Sequence, residues 1–171
     1  MYLVSACLAG FNTRYDGGNC LDERVRRLVL AGRAVPVCPE QLGGLPTPRP
    51  AVEFASGDGA DALDGKTKVH MVDNRPHPPL RSSLSHWKRV WVRETAGEKA
   101  DYTGTLVRGA RETLRIARLY GIKEAVFKDG SPSCGTSYVC SGGQKRAGRG
   151  ITAELLSREG LMVRGVDSLQ G

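Results

Sequence analysis

Short apolar segments alternate with amphipathic ones along much of this chain. Tyr2-Leu3-Val4-Ser5-Ala6 is apolar and has the length of a strand, and the segment 21–31 then repeats apolar residues at helical spacing before Gly32. The same order returns later, where Glu124-Ala125-Val126-Phe127 follows a helical repeat over 106–117. Parallel strands joined by helical crossovers produce this alternation. The pattern predicts an α/β fold with a small, three-layer, Rossmann-like sheet that is mostly parallel and has helices on both faces.

Further segments extend this prediction. Ala34-Val35-Pro36-Val37 is predicted to be the second strand, and its proline lacks a backbone donor, which favours the edge of a sheet. We also expect an extended segment at 51–54, a short helix over 152–159 and a last strand over 161–166. The segment from Ser141 to Gly150 is Gly-rich and basic, so we expect a loop there.

The chain length of 171 residues fits a single domain, here 1–171. The stretch from about 70 to 101 has no clear period, so we expect an irregular insert or lid. No apolar run reaches the roughly 18–20 residues that span a bilayer, and Met1 to Ser5 lacks the basic region of a secretory signal. We therefore expect a cytoplasmic protein without a membrane partner.

The formal net charge is +7, and arginine supplies most of the positive charge, which favours anionic partners such as phosphates or RNA. Residues 74–93 combine basic side chains with two tryptophans, a composition suited to stacking and phosphate contact. A second basic feature is a helical stripe of Arg108, Arg111, Arg115 and Arg118. A solvated helix face and an insert that binds nothing are the structural alternatives. DNA is not an expected partner.

The chain has five cysteines, and an odd number without an export signal argues against a disulfide framework. Cys7 follows the first predicted strand, Cys38 follows the second, and Cys134 lies in the loop after the third. Ligands bind at the carboxyl ends of strands in such sheets, so we expect these three thiols to meet at one edge. Cys20 and Cys140 lie at no predicted strand end and are expected to be buried as small hydrophobic residues.

Three converging thiolates can hold zinc with one open position, or an iron–sulfur cluster with one open iron that binds soft sulfur. Glu40, two residues after Cys38, is the best-placed general base, and Ser131 offers a hydroxyl on the opposite wall. The further candidates, for substrate contact, are Ser5, Asp16 and Ser133. A zinc- or RNA-binding module with structural cysteines is the alternative function.

Three groups of motifs occur in order along the chain. They are Ser5-Ala6-Cys7-Leu8-Ala9-Gly10 with Arg14-Tyr15-Asp16-Gly17, Val35-Pro36-Val37-Cys38-Pro39-Glu40 with Gly43-Gly44-Leu45-Pro46-Thr47-Pro48-Arg49, and Gly130-Ser131-Pro132-Ser133-Cys134-Gly135. Over nearly the whole chain, the sequence resembles the bacterial 2-thiouracil desulfidase family. The resemblance implies a [4Fe–4S] cluster held by Cys7, Cys38 and Cys134, with the fourth iron open to substrate sulfur. It also implies that Glu40 and Ser131 are the catalytic carboxylate and hydroxyl.

The resemblance implies a reaction that replaces C=S by C=O in a thiolated pyrimidine and releases sulfide without net electron transfer. In this hypothesis Glu40 deprotonates water, and Ser131 assists proton movement. The substrate is 2-thiouracil, 4-thiouracil, or one of their nucleosides or nucleotides, and thiolated tRNA is an alternative. The insert at about 70–101 carries no motif of the family, and the sequence does not specify an oligomeric state.

Overall fold

The computed structural model describes residues 1–72 and 100–169. The basic and aromatic segment 74–93, and most of the predicted insert, lie outside the described residues. The strands are β1 Tyr2–Ser5, β2 Ala34–Val37, β3 Val52–Phe54, β4 Val69–Met71, β5 Glu124–Phe127, β6 Tyr138–Ser141, β7 Gln144–Ala147 and β8 Met162–Gly165. The α-helices are α1 Glu23–Leu30, α2 Pro39–Leu42, α3 Gly59–Leu63, α4 Thr103–Leu119 and α5 Ile151–Arg158, and short 3-10 turns cover Ala6–Ala9 and Val166–Ser168.

The first sheet has the strand order β2-β1-β5-β8, and all its pairs are parallel. Successive side chains of a strand point to opposite faces. On one face, Leu3 shares a buried cluster with Leu114 of α4 and Leu156 of α5. On the other face, Val4 packs with Val25 of α1. The predicted three-layer, mostly parallel α/β arrangement is therefore confirmed.

The strand that contains Pro36 is β2, which lies at the edge of this sheet as predicted. At an edge, the missing N–H of a proline removes no ladder hydrogen bond if it faces outward. The predicted extended segment at 51–54 forms β3, but β3 belongs to a different sheet.

A second sheet, with the order β4-β3-β6-β7, was not predicted from the sequence. Its strands β6 and β7 form an antiparallel hairpin, so the prediction of a loop over 141–150 is wrong. The hairpin turns at Gly142 and Gly143, which have φ of 58° and 77°. Two consecutive positive φ values are what a tight two-residue hairpin turn requires. All of β7 is exposed, so it has no apolar alternation that could have revealed a strand.

Helix α4 packs against both sheets. Leu106 and Ala110 share a buried cluster with Phe54 and Val139 of the second sheet, whereas Leu114 packs on the first sheet. Among the helices of residues 1–72 and 100–169, none combines the length and the hydropathy that a membrane span needs.

The predicted arginine stripe on α4 is largely engaged in contacts within the chain. Arg108 donates to the backbone oxygen of Gly43 through Nε and Nη2, at 3.0 and 2.8 Å. Arg115 pairs with Glu112, and Arg118 pairs with Glu159. These contacts support the structural explanation of the stripe.

Helix α4 also sets the position of α2. Gly109 lies near the middle of α4, where an added Cβ would overlap the carbonyl group of Pro39. The missing side chain therefore lets the two helices touch through their backbones. As a result, α2 and the strand end before it are held directly against α4.

Candidate active site

Three cysteines from three separate segments line one cavity. Cys7 lies in the 3-10 turn after β1, Cys38 caps the N-terminus of α2 directly after β2, and Cys134 lies in the loop after β5. The cavity has a volume of about 140 Å³ and is lined by all three residues. Because β2, β1 and β5 are adjacent parallel strands, their carboxyl ends meet at this edge.

The loop that carries Cys134 is fixed by its own hydrogen bonds. Oδ1 of Asp129 accepts from the backbone N–H and the hydroxyl of Thr136 at 2.6 and 2.8 Å, and from the backbone N–H of Ser137 at 2.8 Å. The first amides of α5 donate to the carbonyl oxygens of Pro132 and Ser133. These contacts satisfy the free N–H groups of the helix and hold the backbone beside Cys134 in one position.

The hydroxyl of Ser5 supports the thiol of Cys134. Ser5 is only 2% exposed, its Oγ accepts from the backbone N–H of Lys128 at 3.1 Å, and its side chain hydrogen-bonds Cys134. Burial raises the pKa of Cys134 well above its ordinary value and, with the nearby thiol of Cys20, raises the pKa of Cys7 to about 11. Without a bound cation, both thiols are therefore protonated at neutral pH.

Glu40 and Ser131 meet in the same cavity. The Ser131 hydroxyl donates to Oε1 of Glu40 at 3.0 Å, while the other carboxylate oxygen contacts Arg49. Oγ of Ser131 accepts from the backbone N–H groups of Ser133 and Cys134 at 3.0 and 3.2 Å. The carboxylate, the hydroxyl and the loop of Cys134 thus form one connected network.

Two predicted substrate contacts lie away from the cavity wall. Ser133 is fully buried, and its hydroxyl lies 3.3 Å from that of Thr152. Asp16 binds Arg14 with an Oδ2 to Nη2 distance of 2.8 Å, and this hydrogen bond lowers the pKa of Asp16. Arg14 itself lines the cavity, and its Nη1 lies 2.7 Å from Sγ of Cys20. Asp16 therefore reaches the cavity only through Arg14.

Sequence reasoning missed several residues of the cavity wall. Arg14, Arg49 and Lys128 line the cavity, but they were given no role of their own. Cys20 and Cys140 are both only partly buried, so the expectation that they are buried small hydrophobic residues is wrong, and Cys140 also lines the cavity. Its neighbour Val139 is fully buried, and strand alternation places Cys140 on the opposite face. That alternation was the available signal.

The chemistry of the cavity lining fits an iron–sulfur cluster, since cysteine thiolates are the usual protein ligands of such clusters. Within residues 1–72 and 100–169, no three His, Cys, Asp or Glu side chains are grouped so that they could hold one metal ion. Arg14 and Lys128 supply positive charge beside the three thiols, which suits a thiolate-bound cluster of negative net charge.

Comparisons with known proteins identify similar chains. The family model described as 2-thiouracil desulfurase matches residues 2–167. The YbbK protein of Bacillus subtilis (strain 168) is 35% identical over 166 residues, which cover 95% of this chain and 93% of that protein. Among solved structures, the [4Fe–4S]-dependent thiouracil desulfidase TudS is 33% identical with a TM-score of 0.73, and the match covers 98% of this chain and 91% of that chain.

Proposed function

This chain belongs to the 2-thiouracil desulfurase family, and we propose that it uses a [4Fe–4S] cluster to hydrolyse the C=S group of a thiolated pyrimidine. Water supplies the oxygen of the new C=O group, the C–S bond breaks, and the sulfur leaves as hydrosulfide. No oxidant or reductant is needed. The proposed substrates are 2-thiouracil, 4-thiouracil and their nucleosides and nucleotides, and the proposed location is the cytoplasm.

The thiols of Cys7, Cys38 and Cys134 would hold the cluster. When bound, such a cluster supplies a Lewis-acid iron that attracts soft sulfur. Support comes from the shared cavity of the three residues and from the name of the structural neighbour TudS. Lys128 lines this cavity and favours the thiolate form of Cys7.

Glu40 is proposed as the general base. Its Oε1 lies 3.0 Å from the Ser131 hydroxyl, and only 9% of the residue is exposed. A proton from the attacking water passes to this carboxylate, while the water oxygen bonds to the carbon that carries sulfur. The Ser131 hydroxyl moves a proton between Oε1 and the substrate. The contact between Glu40 and Ser131 in the cysteine-lined cavity is the observation that carries the proposal.

A sulfide-release assay tests this function. The protein is reconstituted anaerobically with iron and sulfide, desalted, and incubated with 2-thiouracil, 4-thiouracil and their nucleosides and monophosphates. We expect at least one of them to yield hydrosulfide and the corresponding oxo-pyrimidine in equal amounts, with Glu40→Gln reducing turnover by about 10²-fold or more. The proposal fails if a cluster-loaded protein releases sulfide from none of these compounds.

A further inference from the structure

Arg49 is a buried cation next to the proposed base. The residue is only 5% exposed, and its side chain lies against the carboxylate of Glu40, which is nearly as well shielded from water. A buried charge is stable only when it is paired and fully hydrogen-bonded. The pair therefore depends on the geometry of both partners.

The guanidinium of Arg49 engages one oxygen of Glu40 and leaves the other for Ser131. Its Nε and Nη2 lie 2.7 and 2.6 Å from Oε2 of the carboxylate. Oε1 accepts instead from the Ser131 hydroxyl at 3.0 Å. Because Oε2 is held by the Nε hydrogen bond and by the close ion pair with Nη2, turning Oε1 away from the hydroxyl would disturb both contacts.

The remaining donors of Arg49 are bound to fixed groups of the protein. Nη1 lies 3.1 Å from the carbonyl oxygen of Thr13, 3.2 Å from that of Pro46 and 3.0 Å from Oγ1 of Thr47, and Nη2 lies 3.2 Å from the Thr13 oxygen. Together with the contacts to Glu40, these interactions engage all three nitrogens of the guanidinium. Each nitrogen of Arg49 is therefore bound to a group of the protein.

We infer that Arg49 is a positioning residue that fixes Glu40 with Oε1 directed at the Ser131 hydroxyl. It acts on the reaction through Glu40 and does not touch the substrate. This inference rests on the proposed function, because it assumes that Glu40 is the base. Because Arg49 is itself bound to Thr13, Pro46 and Thr47, the orientation of the Glu40 carboxylate depends on these residues as well as on α2.

A double-mutant cycle with the cluster-loaded enzyme tests this inference. Arg49→Met should lower kcat by about 10²-fold, because a misplaced catalytic group costs that much, and should leave KM near the wild-type value. Arg49→Lys keeps the positive charge but lacks the planar guanidinium with its several donors, so its kcat should lie between those of Arg49→Met and the wild type. Added to Glu40→Gln, Arg49→Met should lower kcat no further, since it acts through a group that is already disabled. Iron content should match the wild type in every variant.

The control is Arg108→Met, which removes a different arginine that contacts the end of α2 and should leave kcat unchanged. Additive losses in the double variant, or wild-type kcat in Arg49→Lys, would overturn the inference. The comparison with Arg49→Lys still tests the inference if the Arg49→Met protein does not fold. Wild-type turnover in Glu40→Gln would instead refute the proposed role of Glu40. Loss in Glu40→Gln with full activity in the Arg49 variants would refute only the role of Arg49.

Discussion

Ser131 Oγ lies 3.0 Å from Oε1 of Glu40, although 91 positions separate the two residues in the chain. Ser131 follows β5 and Glu40 follows β2, and β1 lies between these two strands in the sheet. The contact therefore depends on the same parallel topology that brings Cys7, Cys38 and Cys134 to one cavity. Because the Ser131 oxygen accepts hydrogen bonds from two backbone amides, the hydroxyl proton is available to the Glu40 carboxylate.

Ser131→Ala should lower kcat by about 10²-fold, because the proton path to Glu40 is lost. Iron content should stay at the wild-type level, since the serine supplies no thiol. The measurement is sulfide release per iron-loaded chain. Ser137→Ala, an exposed hydroxyl of the same loop, is the control and should keep full activity. Equal activity in the two variants would exclude a proton-transfer role for Ser131.

Gly109→Ala should destabilise the protein by about 1–3 kcal/mol, because the new methyl group overlaps the carbonyl of Pro39. It should also reduce activity, since α2 carries Glu40 and must move. Urea unfolding and sulfide release measure the two effects. Gly104→Ala lies on the same helix with nothing within 4 Å of the added Cβ, so it should stabilise by up to about 1 kcal/mol. Similar stability changes at both positions would contradict the close helix contact.

Asp129→Ala should cost about 1–3 kcal/mol at pH 7, because the amides of Thr136 and Ser137 lose their acceptor. Burial raises the pKa of Asp129, but hydrogen bonds from these amides outweigh it, and the net shift is downward. Because the pKa of Asp129 is lower in the folded state than the unfolded-state value of about 3.9, ionised Asp129 stabilises the fold at pH values above about 3.9. This stabilisation is lost as the pH falls through the folded-state pKa.

The difference in unfolding free energy between wild type and Asp129→Ala should therefore shrink as the pH drops below about 4. Denaturant titrations at a series of pH values measure it. Asp167→Ala changes an exposed carboxylate and serves as the control. A difference that stays constant down to pH 2 would show that the ionised Asp129 does not hold this loop.

Cys7 should alkylate slowly in the cluster-free protein at pH 8, because burial and the neighbouring Cys20 thiol raise its pKa to about 11. Only the thiolate reacts, so the rate should rise about tenfold for each pH unit up to that value. Iodoacetamide labelling followed by peptide mass spectrometry measures the rate, with the urea-unfolded chain as the reference. A rate in the folded protein equal to that of the unfolded chain would contradict the burial of this thiol.

The sequence predicted the parts of the site that follow directly from strand ends. Cys7, Cys38 and Cys134 each come after a short apolar run, and parallel topology alone brings such positions to one edge. The hairpin of β6 and β7 was missed because Gln144 to Ala147 is exposed throughout and shows no alternation. Only the Gly142-Gly143 pair marked its turn.

The charged partners in the site could not be predicted in the same way. Asp16 was expected at the substrate, but it binds Arg14, two residues away, and leaves the guanidinium to face the cavity. Arg49 reaches Glu40 across the turn after α2. No periodic pattern in the sequence indicates which basic residue makes this contact. Such pairings depend on side-chain directions that only the packed structure sets.

Chemical analysis of the reconstituted protein shows whether Cys7, Cys38 and Cys134 hold one [4Fe–4S] cluster. Iron and acid-labile sulfide are measured per chain in the wild type, in the single serine variants of Cys7, Cys38 and Cys134, and in Cys20→Ser as the matched control. We expect about four irons and four sulfides per chain in the wild type and the control, with a large loss in each of the other three variants. One zinc without iron in the wild type, or a full cluster in Cys38→Ser, would contradict this expectation.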